Sequence, residues 1–156
     1  MTRPLVLISV AAANMVVLAG ATPVVFTDVT EPAGIRFTHT TGAFGAKYMP
    51  ETFGSGVLWL DVDDDGWQDI LFVNATAWPE RDAAATHALL YRNNGDDTFS
   101  DVTRGSGLEV PLYGMGGAAA DFDNDGHVDV YLTALGPNRL FKGRGDGTFV
   151  DVTAAS

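Results

Sequence analysis

The sequence predicts an all-β fold: about two four-stranded antiparallel blades of a β-propeller, a partial ring, with acidic loops between strands. Three observations predict it. The stretch DVDDDGWQD at 61–69 returns sixty residues later as DFDNDGHVD at 121–129. FTDVT at 26–30 returns as FSDVT at 99–103 and FVDVT at 149–153. LYRNNGDDTF at 90–99 returns fifty residues later as LFKGRGDGTF at 140–149. Self-similarity at such a period marks a repeat architecture. The flanking runs are short, rich in Val, Ile, Leu and aromatics, and bounded by Gly and Asp, as strands are.

Taken in order, the chain opens with a segment that has the form of an export signal. Arg3 supplies the positive start, LVLISVAAANMVVLAGA the apolar run, and Ala19-Gly20-Ala21 an A-x-A cleavage site. The run is short for a membrane span and is interrupted by Asn14. Residues 1–21 are therefore expected to be a signal peptide, with no stable membrane insertion after its cleavage and a secreted product, extracellular or periplasmic. FTDVT at 26–30 alternates apolar and polar residues and reads as a half-buried strand. Phe53-Gly54-Ser55-Gly56 and Tyr113-Gly114-Met115-Gly116 each stand eight residues ahead of an acidic loop, where glycine permits close strand packing or a tight turn. GVLWL leads into the first loop and DILFVN leads out; AAADF and DVYLTA flank the second. NATAWPERDAAATHA accounts for the extra ten residues of the first copy and reads as a surface loop. One unit is thus FGxG, strand, acidic loop, strand, turn, strand, GDGTF turn and strand, the content of one propeller blade. The first blade is placed at about 53–103 and the second at about 113–153, within a domain at 22–156.

The acidic loops carry the chemistry. Asp occupies positions 1, 3, 5 and 9 of both, and Gly fills position 6. Four carboxylates within nine residues repel one another, and a hard divalent cation is the usual reason a folded chain gathers them. Ca²⁺ takes six to eight oxygens, which alternate residues of a tight loop can aim at one centre. Position 7 would give only its backbone carbonyl, which explains why Trp67 and His127 differ there. The pattern matches the first half of an EF-hand, but that motif needs a bidentate Glu at position 12, where this chain has Phe72 and Leu132. Asp69 and Asp129 must do that work in a β-hairpin loop. A pair of plain acidic turns is the alternative, since Asp-Gly is a common hairpin signal.

The formal charge is −11, and nine of the twenty acidic residues lie in the two loops. The charge is therefore a local demand for cations, and the scattered Lys and Arg exclude nucleic acid as a partner. With no cysteine, neither a disulfide nor a thiol nucleophile is available. No serine sits in a GxSxG elbow. His39, His87 and His127 lie in separate segments, His127 with its side chain free to point outward. A site closed by protein oxygens lacks the open position that metal catalysis requires. The chain is therefore read as a non-enzyme.

These motifs resemble the FG-GAP or VCBS repeats of integrin-α-like β-propellers, within them the branch of cartilage acidic protein and UnbV (ASPIC). The residues that carry the resemblance are FxDVT followed by AGI or SGL, KYMPETFGSG, both DxDxDGxxD loops, LYRNNGDDTF and YGMGGAAADFDNDG, spanning about 24–156. The resemblance implies a seven- or eight-bladed ring with one Ca²⁺ in each loop. Carried onto this chain, the ligands are Asp61, Asp63, Asp65 and Asp69, with the carbonyl of Trp67. In the second loop they are Asp121, Asp123, Asp125 and Asp129, with the carbonyl of His127. Two departures stand out. Asp97 replaces the glycine of the GDGTF turn, which predicts a strained or differently shaped turn. Position 4, Asp64 or Asn124, should face solvent and ligate nothing. Two blades do not close a ring. A fragment of a longer propeller is the preferred reading, with assembly with further blades from other chains, or a small calcium-stapled sheet, as alternatives. The first FxDVT copy suits a ring closure in which it completes the last blade. The expected function is a calcium-dependent module that binds a protein or glycan at the cell surface or in the extracellular space. The stretch from Trp78 to Glu80 and the KYMPE segment are the expected contact points. An accessory domain of a secreted polysaccharide-acting enzyme is the second hypothesis.

Overall fold

The computed structural model describes residues 23–78 and 84–155. The export segment expected at 1–21 lies outside the described residues, as do Pro79 and Glu80. Eight strands form two antiparallel meanders. Strands β1 (Val57–Leu60), β2 (Asp69–Phe72), β3 (Leu89–Asn93) and β4 (Phe99–Asp101) make the first sheet in that order. Strands β5 (Gly114–Ala120), β6 (Asp129–Ala134), β7 (Arg139–Gly143) and β8 (Phe149–Asp151) make the second. This is the all-β, blade-like arrangement that the repeats predict. No helix among the described residues is long and apolar enough to cross a membrane.

Alternation along the strands decides how the sheets meet. In β1, Leu58 and Leu60 are buried while Val57 and Trp59 are exposed, as the two-residue period of a strand requires. In β6, Val130 and Leu132 are buried and Tyr131 is exposed. The inward residues of both sheets share one core with Val62, Leu71, Val73, Leu90, Leu108, Leu112, Phe141 and Phe149. Gly114 in β5 lets the second sheet close on the first. A Cβ there would stand 2.5 Å from Val73 Cγ1 and 2.7 Å from the Asn74 carbonyl oxygen.

The first FxDVT copy is not a strand. Residues 26–30 lie outside every strand, and Phe26 is 94% exposed. The local geometry is nevertheless that of its two relatives. The Thr30 N–H donates to Asp28 Oδ1, as Thr103 does to Asp101 and Thr153 to Asp151, each at 3.0 Å. What differs is the neighbour: β4 pairs with β3 and β8 with β7, whereas among the described residues no strand flanks 26–30. A strand exists only by pairing, so the motif fixes the turn and leaves the ladder to its surroundings. The turn after each of the first two copies seats on the following sheet. The Phe99 N–H donates to the Ala33 carbonyl at 2.8 Å, and the Phe149 N–H to the Ser106 carbonyl at 2.7 Å.

Two further expectations are corrected in detail. The 74–88 insertion is not a surface loop throughout, since Asn74, Ala75 and Ala88 at its roots are buried. The Thr86 hydroxyl ties those roots together by donating to the Ala75 carbonyl at 2.6 Å. The turn at Asp97 keeps its shape: Asp97 takes φ 67°, beside 80° for Gly147 at the matching place. The departure therefore costs strain in the left-handed region rather than a new turn. Asp97→Gly is expected to stabilise the chain by about 0.5–1 kcal/mol, read as a higher urea midpoint. An unmoved midpoint would mean the aspartate side chain repays its own backbone cost.

Candidate metal centre

Both acidic loops join the first two strands of a sheet, leaving after Leu60 and Ala120 and re-entering at Asp69 and Asp129, which pair with those residues. Each loop is wired in the same way. Asp61 accepts the N–H groups of Asp65 (3.2 Å) and Gly66 (2.9 Å), and Asp121 accepts those of Asp125 (3.1 Å) and Gly126 (2.9 Å). Asp65 and Asp125 then accept the N–H of Trp67 and His127, at 2.8 and 3.0 Å. The chain turns through left-handed residues at positions 4 and 6, with φ 57° at Asp64 and 59° at Asn124 ahead of the glycines. Small polar residues bear that conformation best after glycine.

Position 9 has a role that the motif alone did not reveal. Asp69 is 0% exposed and Asp129 2%. The Asp69 Oδ2 accepts the N–H of Val62 at 2.9 Å, and its Oδ1 accepts that of Asn93, on the third strand, at 2.7 Å. Asp129 does the same for Phe122 and Gly143, at 2.9 and 2.8 Å. Each carboxylate thus staples its loop to β3 or β7.

In the first loop, Asp61, Asp63 and Asp65 each offer an oxygen within 4.8 Å of the others; in the second, Asp121, Asp123 and Asp129 do. Asp69 is not in the first group, although Asp129, with the same two backbone bonds, is in the second. Asp125 is not in the second; Lys142 Nζ lies 2.8 Å from its Oδ2 and also contacts Asp123 Oδ2. The donor set fits a hard divalent cation on a direct observation: Asp63 Oδ1 is buried and has no hydrogen-bond partner. Burial, then the charge of Asp65, pushes the Asp63 carboxyl above its usual range; burial does the same to Asp69. A cation among these oxygens relieves both causes.

The side chains at positions 4 and 7 do not simply face solvent. Asp64 Oδ2 meets His127 Nδ1 at 2.7 Å, joining the two loops and holding the imidazole pKa above its ordinary value. The Trp67 ring lies along the 94–98 turn, where a Cβ on Gly95 would stand 3.0 Å from Trp67 Nε1. His39 Nε2 pairs with Ser55 Oγ at 3.0 Å, and His87 Nδ1 with its neighbour's carbonyl at 2.8 Å.

At the opposite end of the strands, the two expected contact segments meet. The Tyr48 ring packs edge-on against Trp78 at 4.8 Å, and Trp78 Nε1 donates to Glu51 Oε1 at 3.0 Å. Trp78 also lies 5.0 Å from Tyr113. A cavity of about 330 Å³ opens beside them, lined by Trp78, Pro111, Tyr113, Leu135, Pro137 and Arg139 among others.

Two four-stranded sheets, each with an acidic loop between its first two strands, define a propeller-type repeat protein. Residues 61–132 and 121–156 match the FG-GAP-like repeat family, and the chain belongs to it. It is also similar to Cartilage acidic protein 1 of Xenopus tropicalis, 48% identical over 55 residues, and of Homo sapiens, 46% identical over 55 residues. Each match covers 34% of this chain and 8% of the relative, so the chain spans a small part of these relatives' length.

Proposed function

We propose that the chain is an exported calcium-binding module, extracellular or periplasmic, that recognises a protein or glycan and catalyses nothing. The observation that carries the metal is the gathering of Asp61, Asp63 and Asp65, among which Asp63 Oδ1 is buried and unpartnered, with a second gathering at Asp121, Asp123 and Asp129. The ligands proposed are Asp61, Asp63, Asp65 and Asp69 with the Trp67 carbonyl, then Asp121, Asp123, Asp125 and Asp129 with the His127 carbonyl. The metal's work is structural. It neutralises carboxylates at the point where the first two strands of a blade are joined, and its binding energy adds to folding energy. Recognition is assigned to the other end of the sheets, where Tyr48, Trp78 and Tyr113 converge beside a cavity. Aromatic rings with a polar edge are the usual anchors of such surfaces. Export agrees with the apolar segment at 1–21 and with the calcium available outside cells.

Thermal unfolding of the chain in EDTA and in millimolar Ca²⁺ tests the metal. Ca²⁺ is expected to raise the midpoint by about 5 °C or more, as ligand binding to the native state alone predicts. In an Asp61→Ala/Asp121→Ala chain the midpoint should no longer respond to Ca²⁺. A wild-type melt indifferent to Ca²⁺ would leave the loops as acidic turns.

A further inference from the structure

We infer that Lys142 is a tethered competitor for the cation of the second loop, so that the two loops fill in order, 61–69 before 121–129. This inference rests on the metal reading above and concerns the relative affinity of its two sites. The loops have the same backbone wiring and the same four ligand aspartates, so a difference between them comes from their other residues and from what surrounds them. Lys142 and Arg92 hold matching places in the repeat, at the centre of LFKGR and LYRNN. They act differently. The Lys142 ammonium contacts Asp123 Oδ2 and lies 2.8 Å from Asp125 Oδ2. Those are positions 3 and 5 of its loop. Arg92 makes no ion pair among the described residues, and the position 3 carboxylate of its loop keeps a buried oxygen without a partner.

The chemistry of the two cations accounts for the contrast. A lysine ammonium is a compact point charge with three donors and can enter a ring of carboxylates. A guanidinium is a broad planar fork and cannot settle among converging single oxygens as an ion does. A divalent cation entering the second loop must therefore displace the ammonium from Asp123 and Asp125, or be held beside it against repulsion. A cation entering the first loop meets oxygens that no ammonium holds. The first loop is also better shielded: Val62 at position 2 is 2% exposed, whereas Phe122 at the same position is 51% exposed. Lower local dielectric strengthens the attraction there.

Calcium titration calorimetry on the full chain tests this, together with Tb³⁺ luminescence sensitised by tryptophan. Trp67 sits inside the first loop and His127 takes its place in the second, so tryptophan-sensitised Tb³⁺ emission follows the first loop. The wild-type chain is expected to show two classes of calcium site. Lys142→Gln should tighten the weaker class about tenfold, as removal of one nearby charge predicts. It should leave the Tb³⁺ emission midpoint where it was. Lys142→Arg should tighten the weaker class as well, since a guanidinium keeps the charge but not the seat; Arg92→Gln should leave that class unmoved. If Lys142→Gln leaves the weaker class unchanged, or shifts the emission midpoint instead, the inference is overturned while the metal reading stands. If the wild-type chain binds neither ion, both are overturned.

Discussion

Asp69→Ala is expected to cost about 3–5 kcal/mol of stability in EDTA, and more in calcium, where a proposed ligand is lost as well. The carboxylate accepts two backbone N–H groups, that of Val62 in the loop at 2.9 Å and that of Asn93 on β3 at 2.7 Å, and is itself 0% exposed. Alanine removes both acceptors at once. A hydrogen bond to a charged group contributes about 1.5–3 kcal/mol, and a buried donor left without a partner carries its full desolvation cost. Burial holds the Asp69 carboxyl above its usual range, so the ionised group is not a net gain in itself; the penalty arises from the N–H groups it leaves behind. Asp69→Asn, which retains one acceptor oxygen, should fall between wild type and alanine. Urea unfolding of the three chains in EDTA provides the measurement. A loss below about 1 kcal/mol for alanine would show that loop and third strand hold their positions without the staple.

Gly107→Ala is expected to cost about 3 kcal/mol or more, while Gly105→Ala, two residues away, should cost about 1. Both glycines lie in the left-handed region, at φ +88° and +82°, so both substitutions carry the same backbone strain. They differ in what a methyl group would meet. At Gly105 nothing lies within 4 Å; at Gly107 the new carbon would stand 2.2 Å from the Phe149 carbonyl oxygen. That oxygen belongs to the first residue of β8, whose N–H is already committed to the Ser106 carbonyl at 2.7 Å. The clash is with backbone, so no rotamer change relieves it, and the second sheet must shift relative to the first. Unfolding midpoints of the two variants separate strain from collision. Equal losses would mean that the contact between the turn and β8 yields freely.

Much of this architecture is legible in the linear chain because its signals are local. Apolar runs of strand length, Asp-Gly turns and the two nine-residue acidic stretches each carry their own geometry, and repetition confirms the order of elements. What escapes the sequence depends on partners far along the chain. FTDVT at 26–30 has the same residues as β4 and β8, yet a ladder needs a third strand that the motif does not contain. The stapling role of Asp69 escapes because its bond to Asn93 spans 24 residues. Asp64 looks solvent-facing because the histidine it meets is 63 residues away. Lys142 is an unremarkable basic residue until β7 brings it to Asp123 and Asp125. In each case residue type suggested what a side chain is capable of, and only the fold assigned its partner.

The seating of Ala33 on Phe99, repeated by Ser106 on Phe149, has a consequence for how such a chain is made. Translation runs from the N-terminus, and domains generally fold in that order. Each exit turn is therefore laid down before the strand it receives. When β8 leaves the ribosome, the Ser106 carbonyl and the Gly107 gap that receive it have already been made. The growing chain thus carries its own template, each nascent blade being aligned by a mould cast from the one before it.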